Sequence, residues 1–315
     1  MRRLLLLWLV LAGARADALE DLLTPRGIAL GGAARGSATG ALGPLLNPAS
    51  MVLVRQFSSE VSYGYTVQSL GSAVHLSVVD SVTNPRIAAG VYYSYLHASP
   101  RFVHPAGGSS SMGVLREGHE AGTSIGIPLG DRFALGFTMK YLHATTEVAN
   151  PKAGEPMQPK TFVVDSTTAS STDGFTTDIG LVLRLGDSFN LGTIGYNLVP
   201  LHSAEAPLGF GVGASILPRP TIVISADARI DFDRYHDPDG NRRTTAQIAG
   251  GFEFLAGGSV PLRLGYLHDT GFPSDFISAG LGYTGRSFAI DVAYRQKING
   301  GSEEMVVSSI RLFSE

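Results

Sequence analysis

The chain has 315 residues, of which 44% are hydrophobic and only 16% are charged, and its formal net charge is −3 at pH 7. This weakly acidic balance argues against a nucleic-acid-binding protein, because such proteins carry a basic surface. The absence of Cys excludes disulfide bridges and thiolate metal sites, and Gly is unusually frequent with 39 residues.

The N-terminus has the organisation of a secretory signal peptide. Arg2-Arg3 forms a positively charged start, Leu4–Leu11 forms an apolar run, and Ala14-Arg15-Ala16 is a small-x-small cleavage site. We therefore predict a signal peptide over residues 1–16, with the mature chain beginning at Asp17. An uncleaved anchor helix is the alternative, but the run falls short of the ~20 residues that span a membrane.

A segment of unusual composition follows this leader at Gly27–Ser50. It is rich in Gly and Ala and nearly uncharged. Its side chains are too small to build a hydrophobic core of their own, yet the segment is too apolar for an ordinary solvated linker. We assign residues 17–57 to one N-terminal segment that precedes the rest of the fold.

From about Ser58 onward, large apolar residues recur at every second position, which is typical of β-strands. In Arg132–His143 (RFALGFTMKYLH), large apolar side chains alternate with Ala, Gly, Thr and Lys from Phe133 to Tyr141. The same alternation recurs later in the chain, at residues 173–186, 222–231 and 288–295. Each strand thus has one face of large apolar side chains and one face of small, Gly-rich and charged residues.

The links between these strands differ in length. Those after even-numbered strands are mostly short: Gly130-Asp131, Gly186-Asp187, Pro218-Arg219, residues 256–258 and Gly285-Arg286. Links after odd-numbered strands include long polar stretches at Ser99–His119 and Ala144–Thr172, although the first link, at residues 67–69, is short. Short turns at one rim and long loops at the other are typical of outer-membrane barrels. We predict an all-β fold, a transmembrane barrel of about fourteen antiparallel strands over residues 58–315, with a soluble all-β protein as the alternative.

In such a barrel the small face of each strand lines the lumen, because a charge facing lipid costs about 2–4 kcal/mol near the midplane. The charged residues that this assigns to the lumen are Lys140, Asp178, Arg184, Asp227, Arg229, Glu253, Arg263, Asp291 and Arg295. Two interpretations of them stay open. They form a salt-bridge network that braces the lumen, or some of them hold a plug or a ligand carboxylate.

A barrel of this size encloses a lumen too wide for its own side chains to close, so we expect the N-terminal segment to fold inside it as a hatch. Gly31-Gly32-Ala33, followed by Asn47-Pro48-Ala49, resembles the hatch of the FadL-type long-chain fatty-acid transporters and their PorV-like relatives. In those families the pattern precedes a fourteen-stranded barrel. The sequence differs from them between Ala34 and Leu46, where acidic residues are usual and Arg35 is the only charge.

The resemblance implies passive uptake of a hydrophobic, fatty-acid-like molecule across the outer membrane. It assigns the gate to six hatch residues: Gly31, Gly32, Ala33, Asn47, Pro48 and Ala49. The implied partners are outer-membrane lipid and a hydrophobic small molecule. A PorV-like scaffold that binds a secretion partner is the alternative, which the Ser-, Thr- and Gly-rich composition of the long links keeps open.

Two short motifs resemble enzyme signatures but lie in the wrong context. Gly122-Thr123-Ser124-Ile125-Gly126 matches a hydrolase elbow, which needs a following helix, and Gly280-x-Gly282-x-x-Gly285 matches a dinucleotide fingerprint, which needs one as well. Both fall within alternating strand patterns. The His residues show no metal-ligand spacing, so we predict a protein that is not an enzyme and needs no metal or cofactor.

Overall fold

The computed structural model describes residues 24–67, 71–103, 112–151, 164–203, 205–236, 242–271, 273–299 and 303–314. In these residues the chain forms a closed barrel of fourteen antiparallel strands, each paired with its neighbours in sequence, and β1 closes the barrel against β14. The strands are β1 (Phe57–Thr66), β2 (Gly71–Asp80), β3 (Ala88–Val103), β4 (Met112–Leu129), β5 (Phe133–Pro151), β6 (Val164–Arg184), β7 (Phe189–Tyr196), β8 (Gly209–Arg219), β9 (Ile222–His236), β10 (Arg242–Ala256), β11 (Val260–Asp269), β12 (Ser274–Thr284), β13 (Phe288–Asn299) and β14 (Glu304–Ser314). The predicted fold class is confirmed. The predicted leader and the new N-terminus at Asp17 lie outside the described residues.

The large apolar side chains of the strands point away from the lumen. On β5, Phe133 is 48% exposed and Tyr141 is 37% exposed, whereas Ala134 and Lys140 on the other face are buried. Comparable outward residues lie on each of the other described strands except β7, and they form an apolar belt around the barrel. A soluble β-protein would bury this face, so the belt excludes the soluble alternative and is the surface that lipid requires.

The short turns lie at the predicted places, with boundaries that differ by one or two residues. Residues 130–132 join β4 to β5, and residues 257–259 join β10 to β11. The turn between β8 and β9 is Pro220-Thr221 rather than the predicted Pro218-Arg219, because β8 continues to Arg219.

The opposite rim differs more from the sequence-based expectation. The predicted loops at Ser99–His119 and Ala144–Thr172 are largely strand, so that β3 to β6 have 16, 18, 19 and 21 residues. A strand needs only about 9–11 residues to cross a bilayer, so these four project beyond it. Lipid does not require an apolar outer face there, so these parts of the strands form from Ser and Thr without the hydrophobic alternation by which we recognised strands.

Residues 24–56 are named the hatch, and they lie inside the barrel except for the exposed Val54 and Arg55 near the start of β1. They form helix α1 (Pro25–Ala29), helix α2 (Leu42–Leu46) and a 3-10 helix (Pro48–Val52). The hatch is almost completely buried, with Ala29 and Ala49 at 0% exposure. Within the described parts of the chain, no helix combines the length and the apolar character needed to cross a membrane.

The wall is discontinuous at β7, which is the shortest of the described strands. β6 pairs with β7 only over Ile179–Arg184, while the rest of β6 pairs with β5 alone. After β7 the chain leaves the wall at Asn197, whose side-chain amide donates to the carbonyl of Pro207. Ala206, at 0% exposure, then packs inside the barrel in a cluster with Leu96, Leu142 and Ala144.

Candidate functional site

The wall meets the hatch through glycines. A Cβ atom added to Gly136 would collide with the backbone of Ala49, and one added to Gly265 would collide with the backbone of Gly31. Seven more wall glycines would place a Cβ less than 3.0 Å from a hatch atom, namely Gly126, Gly180, Gly192, Gly211, Gly213, Gly251 and Gly280. The Gly-rich face of the strands therefore allows the hatch backbone to approach the wall more closely than any side chain would permit.

The Gly31-Gly32-Ala33 element forms a tight turn after α1. Gly31 and Gly32 have φ angles of 65° and 86°, which lie in the left-handed region that favours glycine. A Cβ at Gly31 would also lie 2.5 Å from the carbonyl oxygen of Tyr266 on β11. Ala33 is fully buried beside them. The turn thus seats the hatch against β11.

A cluster around Arg35 ties the middle of the hatch to the wall. The Asp227 carboxylate on β9 accepts hydrogen bonds from the backbone amides of Ala34 at 2.9 Å and Arg35 at 2.8 Å, and from Nη1 of Arg35 at 3.0 Å. Nε of Arg35 donates to the hydroxyl of Tyr196 on β7, which in turn donates to the carbonyl of Leu46. A guanidinium does not lose its proton in proteins, and the adjacent Asp227 carboxylate favours the charged form further. Arg35 therefore stays charged.

A second ion pair fixes the start of the hatch. Arg26 of α1 binds both carboxylate oxygens of Glu253 on β10, at 3.0 and 3.2 Å, and donates to the carbonyl of Ser37. Glu253 also accepts from Arg263 on β11, which contacts Asp291 on β13. One hatch arginine is thereby inserted into a charged chain that crosses four strands of the wall.

Asn47 lies at the centre of the hatch and is fully buried. Its side-chain amide donates to the carbonyl of Arg35 at 3.1 Å and to that of Leu181 on β6 at 3.2 Å, and its oxygen accepts from the amide of Ala49. Pro48 is the first residue of the 3-10 helix, and Asn47 is its N-cap. Asn47 thus joins two parts of the hatch to the wall.

Replacement of Asn47 by alanine is expected to destabilise the folded protein by about 3 kcal/mol, because two carbonyls and one amide lose their partner at a buried position. The free energy of unfolding, measured by urea titration in detergent micelles, checks this. Asn84 in the exposed turn between β2 and β3 is the matched control, and N84A should change the value by less than about 0.5 kcal/mol. Equal losses in the two variants would contradict the central role of Asn47.

The other predicted lumen charges form pairs within the barrel. The described pairs are Lys140 with Asp178 at 3.0 Å, Arg229 with Asp231 at 2.7 Å and Arg295 with Glu303 at 3.3 Å. These three pairs fit the interpretation that salt bridges brace the lumen, whereas Asp227 and Glu253 bind the hatch.

Arg184 differs from the other predicted lumen charges in its exposure. By alternation it belongs to the inward face of β6, but it is the last residue of that strand. It lies at the short-turn rim, past the hatch, and its side chain is exposed.

Three residues that we did not assign to the site are central to it: Arg26, Tyr196 and, as a binding residue, Arg35. The isolated charge of Arg35 in an apolar segment was the available signal, because a buried arginine requires an anionic partner. No comparable signal marked Tyr196, whose inward direction depends on the register of β7.

Two pockets flank the hatch. The outer pocket opens at the rim of the long strands. Most of its space of about 400 Å³ is the open mouth, and its enclosed part is about the size of one water molecule. Its inward-facing walls are Ser62, Gly64, Thr66, Gly71, Ala73, His75, Leu96, Met305 and Val307. The lower pocket, of about 970 Å³ with its mouth, opens at the short-turn rim beside Arg26, Gln56, Glu253 and Arg311.

The enzyme-like motifs contribute no reactive group to these pockets. Ser124 of the elbow-like motif lies inside β4, where its hydroxyl is 2.8 Å from that of Thr138. Among the residues that the structure describes, no group of three or more His, Asp or Glu side chains is arranged to hold a metal ion.

These features define a class: a closed fourteen-stranded membrane barrel whose lumen is filled by an N-terminal hatch. No protein-family model matches the chain, and no curated protein matches its sequence. Solved structures do match. CymD, described as a monoaromatic hydrocarbon channel, has a TM-score of 0.68 at 14% identity over 93% of this chain and 97% of that one.

Two further solved structures share the fold of this chain. A FadL homologue from Pseudomonas aeruginosa has a TM-score of 0.65 at 14% identity, covering 92% of this chain and 98% of its own. TodX, the toluene transporter of Pseudomonas putida, has a TM-score of 0.62 at 11% identity over 92% and 96% of the two chains. The chain therefore has the fold of the FadL-type channels.

Proposed function

We propose that this protein is an outer-membrane channel for the passive uptake of small hydrophobic molecules, that movement of the hatch opens it, and that it has no enzymatic activity. One observation carries the proposal. The lumen is filled by a segment that continues into β1 at Phe57 and is otherwise held to the wall by non-covalent contacts in its described part. This segment separates an apolar outer pocket from a lower pocket that contains charged side chains. The likeness to channels described as carrying toluene and other monoaromatic hydrocarbons supports the same ligand class.

The outer pocket and the hatch share side chains. Met305 and Val307 on β14 line the pocket, and they also pack against Ile28 and Ala29 of α1. A ligand in the outer pocket therefore touches the residues that support α1. On the other side of α1, Arg26 lines the lower pocket and holds Glu253.

Opening requires that the contacts of Arg26 and Arg35 exchange for water. Buried ion pairs gain little net free energy over their hydrated state, because desolvation offsets much of the attraction. A hatch held in this way is seated specifically and yet can be displaced. In this proposal the Gly31-Gly32-Ala33 turn and Asn47-Pro48-Ala49 are the two elements of the gate that move relative to the wall.

The proposal places the short-turn rim in the periplasm and the rim of the long strands outside the cell, as in other outer-membrane barrels. Export requires the predicted signal peptide, with the mature chain starting at Asp17. No contact among the described residues favours the scaffold alternative, so a secretion partner is not part of the proposal.

Locking the hatch is expected to abolish uptake. Ala49 of the hatch and Ala134 of β5 belong to one buried cluster, and the chain has no Cys that could compete for a new disulfide. The double variant A49C/A134C, oxidised and verified by mass spectrometry, should reduce the uptake of radiolabelled toluene by intact cells to the level of cells without the protein. Addition of a reductant should restore it.

The two single-cysteine variants are the matched controls, and oxidation should not change their uptake. Full uptake through the locked barrel would mean that ligands do not pass the hatch and would overturn the proposed gating.

A further inference from the structure

The outer pocket contains a buried histidine with one unused ring nitrogen. His75 on β2 is 4% exposed, and its Nδ1 is 2.9 Å from the hydroxyl of Ser94 on β3. Its Nε2 has no hydrogen-bond partner. Buried polar atoms in native proteins almost always have a partner, so an unpaired one beside a pocket points to a group that the pocket receives.

The surroundings of His75 are those of a binding site for an apolar molecule. Ala73, Leu96, Met305 and Val307 supply the apolar walls of the pocket. The ring of Tyr92 lies beside the imidazole, with the ring centroids 6.0 Å apart, and together with Ser94 it fixes the orientation of the imidazole. One fixed polar atom among apolar walls is the usual arrangement by which a pocket orients a small ligand.

We propose that Nε2 of His75 binds the hydroxyl group of a small apolar ligand, such as a phenol, and that the outer pocket selects such molecules over the corresponding hydrocarbons. This inference rests on the proposed function and specifies its substrate class. The hydroxyl of Ser94 can donate to Nδ1 or accept from it, so Nε2 is free to be an acceptor or a donor. A ligand hydroxyl fits either state, because it can do both.

Selection follows from the unpaired nitrogen. A hydrocarbon in the pocket leaves Nε2 without a partner and displaces any water that reaches it, whereas a phenol restores the hydrogen bond. Sites built to bind a hydroxyl discriminate strongly against the analogue that lacks it.

The test compares p-cresol with toluene, which differ by one hydroxyl, on the full-length protein in detergent micelles. Calorimetric titration should give a dissociation constant for p-cresol that is about tenfold or more below that for toluene. In H75F this difference should vanish, with toluene binding retained. S77A is the matched control, because Ser77 is the next inward residue of β2, also has an unpartnered buried hydroxyl and does not line the pocket; it should retain the preference.

A second measurement separates direct contact from a structural effect. In nitrogen-15 spectra of the imidazoles, assigned with H75F, the Nε2 signal of His75 should shift with p-cresol and not with toluene. Equal affinities for the two compounds, or an unshifted signal, would overturn the assignment of His75 and leave the proposed uptake intact. Binding of neither compound would overturn the outer pocket as a ligand site, and the locked-hatch uptake assay then decides independently whether the channel function holds.

Discussion

Replacement of Gly136 by valine is expected to open the barrel. Any side chain at this position of β5 overlaps the backbone of Ala49, and the 3-10 helix that contains Ala49 is enclosed on all sides. Overpacking of this kind costs roughly 1–3 kcal/mol, which would raise the open fraction about ten- to a hundredfold. Ionic conductance of the purified protein in planar bilayers should rise accordingly.

Gly250 on β10 supplies the matched control. It is also a strand glycine, but a Cβ atom added there meets no atom within 4 Å, so G250V should conduct like the unmodified protein. Heat-modifiable migration in SDS gels, which reports a folded barrel, must be the same for both variants. A folded G136V barrel that stays closed would show that the hatch yields locally, and that close backbone packing does not hold the gate.

Removal of the Asp227 carboxylate should release the middle of the hatch. D227A eliminates the acceptor of three hatch hydrogen bonds and leaves the Arg35 guanidinium buried without its carboxylate. Loss of one partner of a buried ion pair costs about 3–5 kcal/mol. Hydrogen exchange at the amides of Ala34 and Arg35 should therefore accelerate by about a hundredfold or more.

The double variant R35M/D227A tests whether the unpaired Arg35 guanidinium causes the faster hydrogen exchange. If the unpaired guanidinium drives the release, exchange at Ala34 should be slower in the double variant than in D227A alone, because the stranded charge is gone. E205A removes an ion pair with Arg116 that involves no hatch residue, and it should leave exchange at Ala34 unchanged. Acceleration in E205A equal to that in D227A would indicate general loosening of the barrel.

The strands that cross the membrane were predictable because lipid imposes a strict rule on them. An outward residue such as Phe137 must be apolar and an inward residue such as Lys140 must be satisfied in the lumen, so the alternation is visible in sequence. Above the membrane the rule does not apply. The stretch in β6 from Thr167 to Thr172 contains only Ser, Thr and Ala, and its strand state depends on pairing with β5, which the sequence does not encode locally.

The site was predictable in its parts and not in its connections. Alternation pointed Asp227 and Glu253 into the lumen, and composition separated the hatch from the barrel. Which carboxylate meets which arginine depends on the path of the hatch through the lumen, and this path is set by glycines such as Gly136 and Gly265 that permit contact. From a single sequence, the glycines can be located, but the hatch residues that contact them cannot be predicted.

The wall of the barrel projects further above the bilayer on one side than on the other. β1, β2 and β11 have 10 residues each, whereas β6 has 21. The excess corresponds to roughly 25–30 Å above the bilayer for a tilted strand. A compound that diffuses along the membrane surface therefore meets projecting strands on one side of the barrel. On the other side it meets strands that end near the bilayer surface. The outer pocket lies against the short strands β1, β2 and β14. The shape of the rim therefore favours the entry of a ligand from the side of these strands.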